Sequence, residues 1–257
     1  MASGARGAIR RASGRALPTP TREVRLFAAE VLGLCVYVLL GGGTEAAVRA
    51  AAYQAGKPLG PDAYLLIGLA HGFALFVMTA LTHNVSGAHV NPAVTVGLAS
   101  ARRFPWRGVP LQVAGQFLGA LLGAAAIPIV LGRTRALRGE VGAAVIATHV
   151  SLVQGLAIEA LGAAILMLTV LATSGDPRSP SGWGALSAGM AVVPITMVLA
   201  PTTSALVNPA RAFGPELMLA ILGGHADWTV LVVMDVVGPL LGAFVACRVY
   251  RAIAGLK

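Results

Sequence analysis

The chain has 257 residues, 56% of them hydrophobic and only 11% charged, with mean hydropathy +0.79. That balance lies far outside a soluble globular domain and reads as an integral membrane protein. The formal charge of +9 would suggest nucleic acid in a soluble chain, but its cations flank apolar segments, where anionic lipid is the expected partner and nucleic acid is not.

The first 23 residues are rich in Arg, Ser and Gly and read as a disordered basic tail. Six apolar stretches follow, each near the roughly 20 residues a bilayer crossing needs: 24–43, 63–82, 110–131, 152–173, 184–201 and 228–248. Glu30 inside the first, and the lack of a small-residue cleavage site, favour a retained span over a secretory signal. Arg6, Arg10, Arg11, Arg15, Arg22 and Arg25 precede the first span. Arg102, Arg103 and Arg107 follow the second, and Arg248, Arg251 and Lys257 follow the last. An excess of cations marks the cytoplasmic side, so both termini and the second-to-third connection belong there. Cys35 and Cys247 fall inside spans, where a small apolar role is expected before a disulfide or a metal site.

The chain repeats itself. "EVLG" at 30 is answered by "EALG" at 159, "VNPA" at 90 by "VNPA" at 207, and "GQFLGALLGA" at 115 by "VGPLLGAFVA" at 237. The organisation is therefore a tail (1–23), a first repeat (24–131), a connecting loop (132–151), a second repeat (152–248) and a short C-terminal tail (249–257). Three spans per repeat is an odd number, so the second repeat enters from the opposite face. Such inverted-topology repeats place their site near the midplane between the halves.

The two VNPA segments have a physical reading. After Asn91 only about ten residues can be helical before Arg102-Arg103, or about 15 Å, half of a roughly 30 Å hydrocarbon core. Pro92 and Pro209 suit a first helical turn, where their missing N–H would be unpaired anyway. Asn91 and Asn208 suit the N-cap, with the side-chain oxygen accepting from that turn and the amide NH2 expected to point into open space. Two half-helices inserted from opposite faces would meet at the bilayer centre, each with the positive end of its dipole. Non-helical backbone at that depth must line a cavity or be buried in protein. The expected result is an aqueous path that accepts small neutral hydrogen-bonding molecules and repels cations and protons.

"SGAHVNPAVTVG" and "VNPARAFGP" resemble the two signature loops of the aquaporin, or major intrinsic protein, family, and the similarity extends over about residues 24–250. "HGFALFV" is most similar to the plant tonoplast subgroup, and bacterial water channels are also similar. The resemblance implies an all-α, aquaporin-like bundle of six transmembrane helices with two re-entrant half-helices, one pore per subunit and a homotetramer. It implies pore residues Asn91, Pro92, Ala93, Asn208, Pro209 and Ala210, and a constriction at His71, Thr196, Ala205 and Arg211. It also implies that Glu30 and Glu159 buttress the loops by accepting from their backbone. From spacing alone, Arg211 either lines the pore or anchors its loop to carbonyl groups, and His71 is either a pore residue or a satisfied core histidine.

Asp235 and Val236 match neither the aromatic pair of water-selective members nor the Pro-aliphatic pair of glycerol facilitators. The sequence does not explain Asp235; loop backbone and Arg211 are its two candidate partners. One His beside two short residues implies a filter wider than that of a strict water channel and too polar for an ideal polyol path. Water is the expected solute, with ammonia and hydrogen peroxide as further candidates; a glycerol, urea or metalloid facilitator is the alternative. A secondary transporter would carry ionisable groups at its helix breaks, whereas these carry neutral Asn. No enzymatic spacing such as H-E-x-x-H occurs in the spans, so no catalysis, cofactor or metal is expected. The expected location is the plasma membrane.

Overall fold

The computed structural model describes residues 20–254. The basic tail expected over 1–23 therefore lies outside the described residues up to position 19, while Arg22 and Glu23 already belong to a helix capped by the Thr21 hydroxyl. Among the described residues six helices are long and apolar enough to cross a membrane: Arg22–Ala55, Pro61–Ser86, Trp106–Leu131, Leu152–Gly175, Trp183–Thr203 and Trp228–Ala254. Two shorter helices, Pro92–Ser100 and Pro209–Ile221, follow the second and fifth spans. Among the described residues there is no β-strand. Following the chain through its crossings leaves residues 20 and 254 on one face. The first half-helix runs outward from the midplane to that face, and the second runs to the opposite one.

Glycines let the spans approach closely. A Cβ on Gly115, Gly119 or Gly123 of the third span would come within 2.9, 2.3 and 2.3 Å of the carbonyl oxygens of Phe27, Val31 and Cys35. In the second half, a Cβ on Gly238 or Gly242 would sit 3.0 and 2.0 Å from those of Leu156 and Ala160. Small residues at such crossings supply the backbone proximity that holds membrane helices together without a hydrophobic driving force. Gly115 and Gly238 also make the same approach to Glu30 and Glu159, 3.2 and 3.1 Å from their Cβ atoms. The two halves thus superpose 115 on 238, one residue away from the pairing of 115 with 237 that the letters suggest. Large side chains such as Ile129 and Val153 are 82% and 77% exposed, as befits spans that are apolar all round.

The first span is longer than the expected 24–43. A π turn over Val38–Gly42 carries the helix past residue 43 to Ala55, where Gly56 ends it at φ 62°. Single π turns are frequently found at functional sites. This one turns Glu45 inward, where ion pairing makes its burial tolerable.

Candidate functional site

Each half-helix begins as its sequence prescribes. Asn91 Oδ1 accepts from Ala93 N at 2.8 Å, and Asn208 Oδ1 accepts from Ala210 N and Arg211 N at 3.1 and 3.2 Å. Pro92 and Pro209 occupy the first helical positions, and Ala93 and Ala210 are buried behind them. The amide nitrogens differ from expectation. Asn91 Nδ2 donates to Val207 O at 3.0 Å and Asn208 Nδ2 donates to Val90 O at 2.8 Å, so one N–H of each amide ties the half-helices together. An amide has two such donors, which leaves one per Asn for a solute.

Those carbonyls are available because Val90 and Val207 adopt left-handed backbone, φ 41° and 43°. The conformation is strained for a β-branched residue, at a cost of about 1–3 kcal/mol each. The two buried glutamates hold it in place. Glu30 accepts from Val90 N at 2.8 Å, His89 N at 3.1 Å and Ser86 Oγ at 2.6 Å, and also from the Gln112 and Gln116 amides at 3.1 and 2.7 Å. Glu159 accepts from Val207 N at 2.7 Å, Leu206 N at 3.2 Å and Thr203 Oγ1 at 2.7 Å. The loop-backbone bonds that the resemblance implies for both residues are thus present in the geometry, and each satisfies donors that would otherwise be orphaned in an apolar interior.

A cavity of about 40 Å³ begins at Asn91 and Asn208 and runs past Tyr37, Leu75, His89 and Val94 toward Ser174 and Gly184, on the face that carries the termini. At about 10–15 Å³ per water on this measure, it holds roughly three waters. Its wall is mostly apolar, with the two amides, the His89 loop, Tyr37, Thr79 and Ser174 as its polar groups. His89 is fixed from behind by Thr95 Oγ1 at 3.1 Å and by an edge-on contact with Phe104. At the termini-side mouth, Asp176 accepts from Arg178 and, at 2.7 Å, from the Tyr250 hydroxyl. The Arg178 hydrogen bonds hold the Asp176 carboxyl well below the usual carboxylate range.

On the other side of the asparagines, His71 and Arg211 meet. His71 Nδ1 lies 3.0 Å from the Ile67 carbonyl. Nδ1 therefore carries the proton, leaving Nε2 to accept from Arg211 Nε at 3.3 Å. Arg211 NH1 donates to Gly142 O at 2.8 Å and NH2 to Glu45 Oε2 at 2.7 Å. Thus Arg211 anchors the connecting loop through the Gly142 carbonyl and also joins His71. Most of its donors are engaged by protein groups. Thr196 and Ala205 are buried, one on the fifth span and one in the loop before Asn208, where Ala205 has φ 52°.

One residue escaped the sequence reading, and a second was noticed without its surroundings. Glu45, 1% exposed, pairs with Arg211 and also with Arg49, which reaches Ala143 O at 2.7 Å and Ser204 Oγ at 2.9 Å. The signal was present in "GGGTEAAVR": a Cβ on Gly41 would lie 2.6 Å from the His71 ring and one on Gly42 3.4 Å from the guanidinium carbon of Arg211. Asp235 bonds to neither candidate partner. It is 1% exposed and both carboxyl oxygens lack a partner. Three residues before Gly238, it stands where Gln112 stands before Gly115.

The profile of the family described as Major intrinsic protein matches residues 19–250. The chain belongs to this family. Aquaporin AqpM of Methanothermobacter marburgensis is 33% identical over 233 residues, covering 87% of this chain and 94% of that protein. The probable aquaporin TIP2-2 of Oryza sativa subsp. japonica is 34% identical over 232 residues, covering 89% of this chain and 87% of that one. Among solved structures, the aquaglyceroporin from Plasmodium falciparum shares the fold, with a TM-score of 0.79 at 24% identity over 90% of this chain and 97% of that one. The six apolar helices and the family together make this major intrinsic protein a multi-pass membrane protein of a channel family.

Proposed function

We propose that this chain is a passive water channel that also passes ammonia and hydrogen peroxide and excludes protons and other ions. One observation carries the reading: the two half-helices meet through Asn91 and Asn208 at the end of a narrow, mostly apolar cavity with room for about three waters. Water entering that file meets one free N–H from each Asn, and the positive helix ends behind them disfavour a proton or metal cation. His71, Thr196, Ala205 and Arg211 form the outer constriction, Asn91, Pro92, Ala93, Asn208, Pro209 and Ala210 the central one, and Glu30 and Glu159 set the loops between them. The relatives named aquaporins support a water path; the fold shared with an aquaglyceroporin leaves glycerol, urea or metalloid transport as the second reading, favoured by the short side chains of Thr196 and Ala205. The working unit is a homotetramer in the plasma membrane with cytoplasmic termini, in keeping with the cations beside them.

Stopped-flow light scattering on proteoliposomes tests this. An osmotic step of sucrose gives rapid protein-dependent shrinkage, and a step of glycerol gives the same shrinkage without protein-dependent re-entry. Fast glycerol re-entry would replace the water-channel reading with the facilitator one.

A further inference from the structure

We propose that Glu45 is a specificity-determining residue of the outer constriction, whose carboxylate cancels the Arg211 charge and thereby excludes anions. The proposal rests on the channel reading above and adds to it a residue outside the four positions assigned to the constriction.

Glu45 Oε2 accepts from Arg211 NH2 at 2.7 Å and lies 3.8 Å from His71 Nε2, while its other oxygen pairs with Arg49. Arg49 is 3.6 Å from the half-exposed Glu140. The charges on this cluster are thus two guanidinium groups and two carboxylates, and they sum to zero. His71 adds none, because its Nδ1 proton is committed to Ile67 O and its Nε2 accepts from Arg211.

The arrangement is built, and several elements pay in shape for it. The π turn at Val38–Gly42 sets the phase of the first span so that Glu45 faces inward. Gly42 leaves the space that Arg211 fills, and Gly142, at φ 74°, brings its carbonyl to the same guanidinium. Glu45 and Arg211 are 1% and 0% exposed, so little water screens either charge.

The consequence follows from the order of charges along the path. Two helix N-termini at the midplane make the centre positive. An uncompensated arginine outside it would add to that potential and make the route attractive to small anions, since charge focused in a low-dielectric cleft concentrates counter-ions. With Glu45 in place, the outer site is neutral while the centre remains positive, so cations meet a barrier at the asparagines and ions of neither sign are concentrated at the entrance.

The test measures nitrate entry into proteoliposomes, with water flux recorded on the same preparations. Wild type admits nitrate at the rate of protein-free vesicles. Glu45→Gln, which keeps the shape and an acceptor, raises nitrate permeability by about tenfold or more, and the double variant Glu45→Gln/Arg211→Gln returns it toward wild type because both charges are gone. Nitrate at the wild-type level in E45Q would overturn the proposal. A double variant at least as leaky as E45Q would overturn it too, because Glu45 would then be only a brace. Should E45Q fail to reconstitute, Arg211→Gln carries the mirror test: it leaves the cluster with Arg49 against two carboxylates, one negative charge in excess, and raises residual rubidium entry over the central barrier while nitrate entry stays low; unchanged rubidium entry sinks the charge assignment. Lack of water flux in wild type would instead overturn the water-channel reading.

Discussion

In the first half of the chain the Glu30 carboxylate accepts from two loop N–H groups, a serine hydroxyl and the amides of Gln112 and Gln116. In the second, Glu159 accepts from two loop N–H groups and a threonine hydroxyl, and the place of Gln112 is taken by Asp235. The shared part is what both loops require: an acceptor for the N–H of a valine held at positive φ, whose carbonyl then receives the opposite asparagine. The part that differs lies on the third and sixth spans. There the first half supplies donors to its carboxylate, while the second sets a second acid without a partner. The halves also differ at the far end of their first helices. The first span runs 25 residues beyond Glu30 to Ala55, while the fourth ends at Gly175, 16 beyond Glu159. The extra turns carry Arg49, which pairs with Glu45 one turn before it, so the asymmetry falls beside the Glu45–Arg211 pair.

Removing the shared part has the largest expected effect. Glu30→Ala and Glu159→Ala each strand two backbone N–H groups and a hydroxyl in an apolar interior, at about 1–3 kcal/mol per group, against a total stability of about 5–15 kcal/mol for an ordinary domain. Both variants lose folded protein in detergent by size-exclusion chromatography, Glu30→Ala more severely because two glutamine amides also lose an acceptor. A Glu159→Ala variant as stable as wild type would end the buttress account.

Exchanging the parts that differ sharpens the comparison. Asp235→Gln installs the donor that the first half has at Gln112 and raises the unfolding midpoint, by about 1 kcal/mol for one hydrogen bond gained. Gln112→Asp does the reverse, removing a donor to Glu30 and setting a second acid beside it. Equal midpoints in both exchanges, read by thermal unfolding in detergent, would mean that the two positions are not equivalent.

A smaller effect separates two adjacent glycines. A Cβ at Gly41 collides with the His71 ring, so Gly41→Ala shifts the histidine and changes water flux severalfold. At Gly42 the added carbon meets Arg211 at 3.4 Å, and Gly42→Ala changes flux less. Equal fluxes would show that the first span does not shape the constriction.

The smallest effect is at the termini-side mouth. Because the Asp176 carboxyl is held below its ordinary range, its contribution to stability is complete above that range and is lost only as pH falls through the lowered value. Asp176→Asn therefore lowers the unfolding midpoint by a small amount that stays constant from about pH 5 to about pH 8. A difference that varied across that interval would contradict the assignment.

Much of this was legible in the sequence because it is written in local rules. Asn-Pro announces an N-cap and a first turn, about ten apolar residues announce a half-crossing, and an odd number of spans per repeat announces inversion. Glu30 and Glu159 stood out because a carboxylate at membrane depth requires a partner. Where the partners are distant, legibility stopped. Arg211 meets Glu45 across 166 positions, and the asparagine amides reach across the repeat to the carbonyls of Val207 and Val90. Those carbonyls point the right way only because of a positive φ that valine does not advertise. The role of Gly41 and Gly42, making room for His71 and Arg211, could not be read because it depends on side chains from two other elements. The superposition of Asp235 on Gln112 became visible only when the glycine crossings fixed the register.

The central claim, a path that carries neutral molecules and no ions, is tested most directly by measuring water and proton fluxes on the same proteoliposomes, with a clamped membrane potential and an entrapped pH dye. The account predicts water permeability well above that of protein-free vesicles and proton permeability equal to theirs. Proton entry that rises with protein content, or water flux that requires an ion gradient, would contradict it.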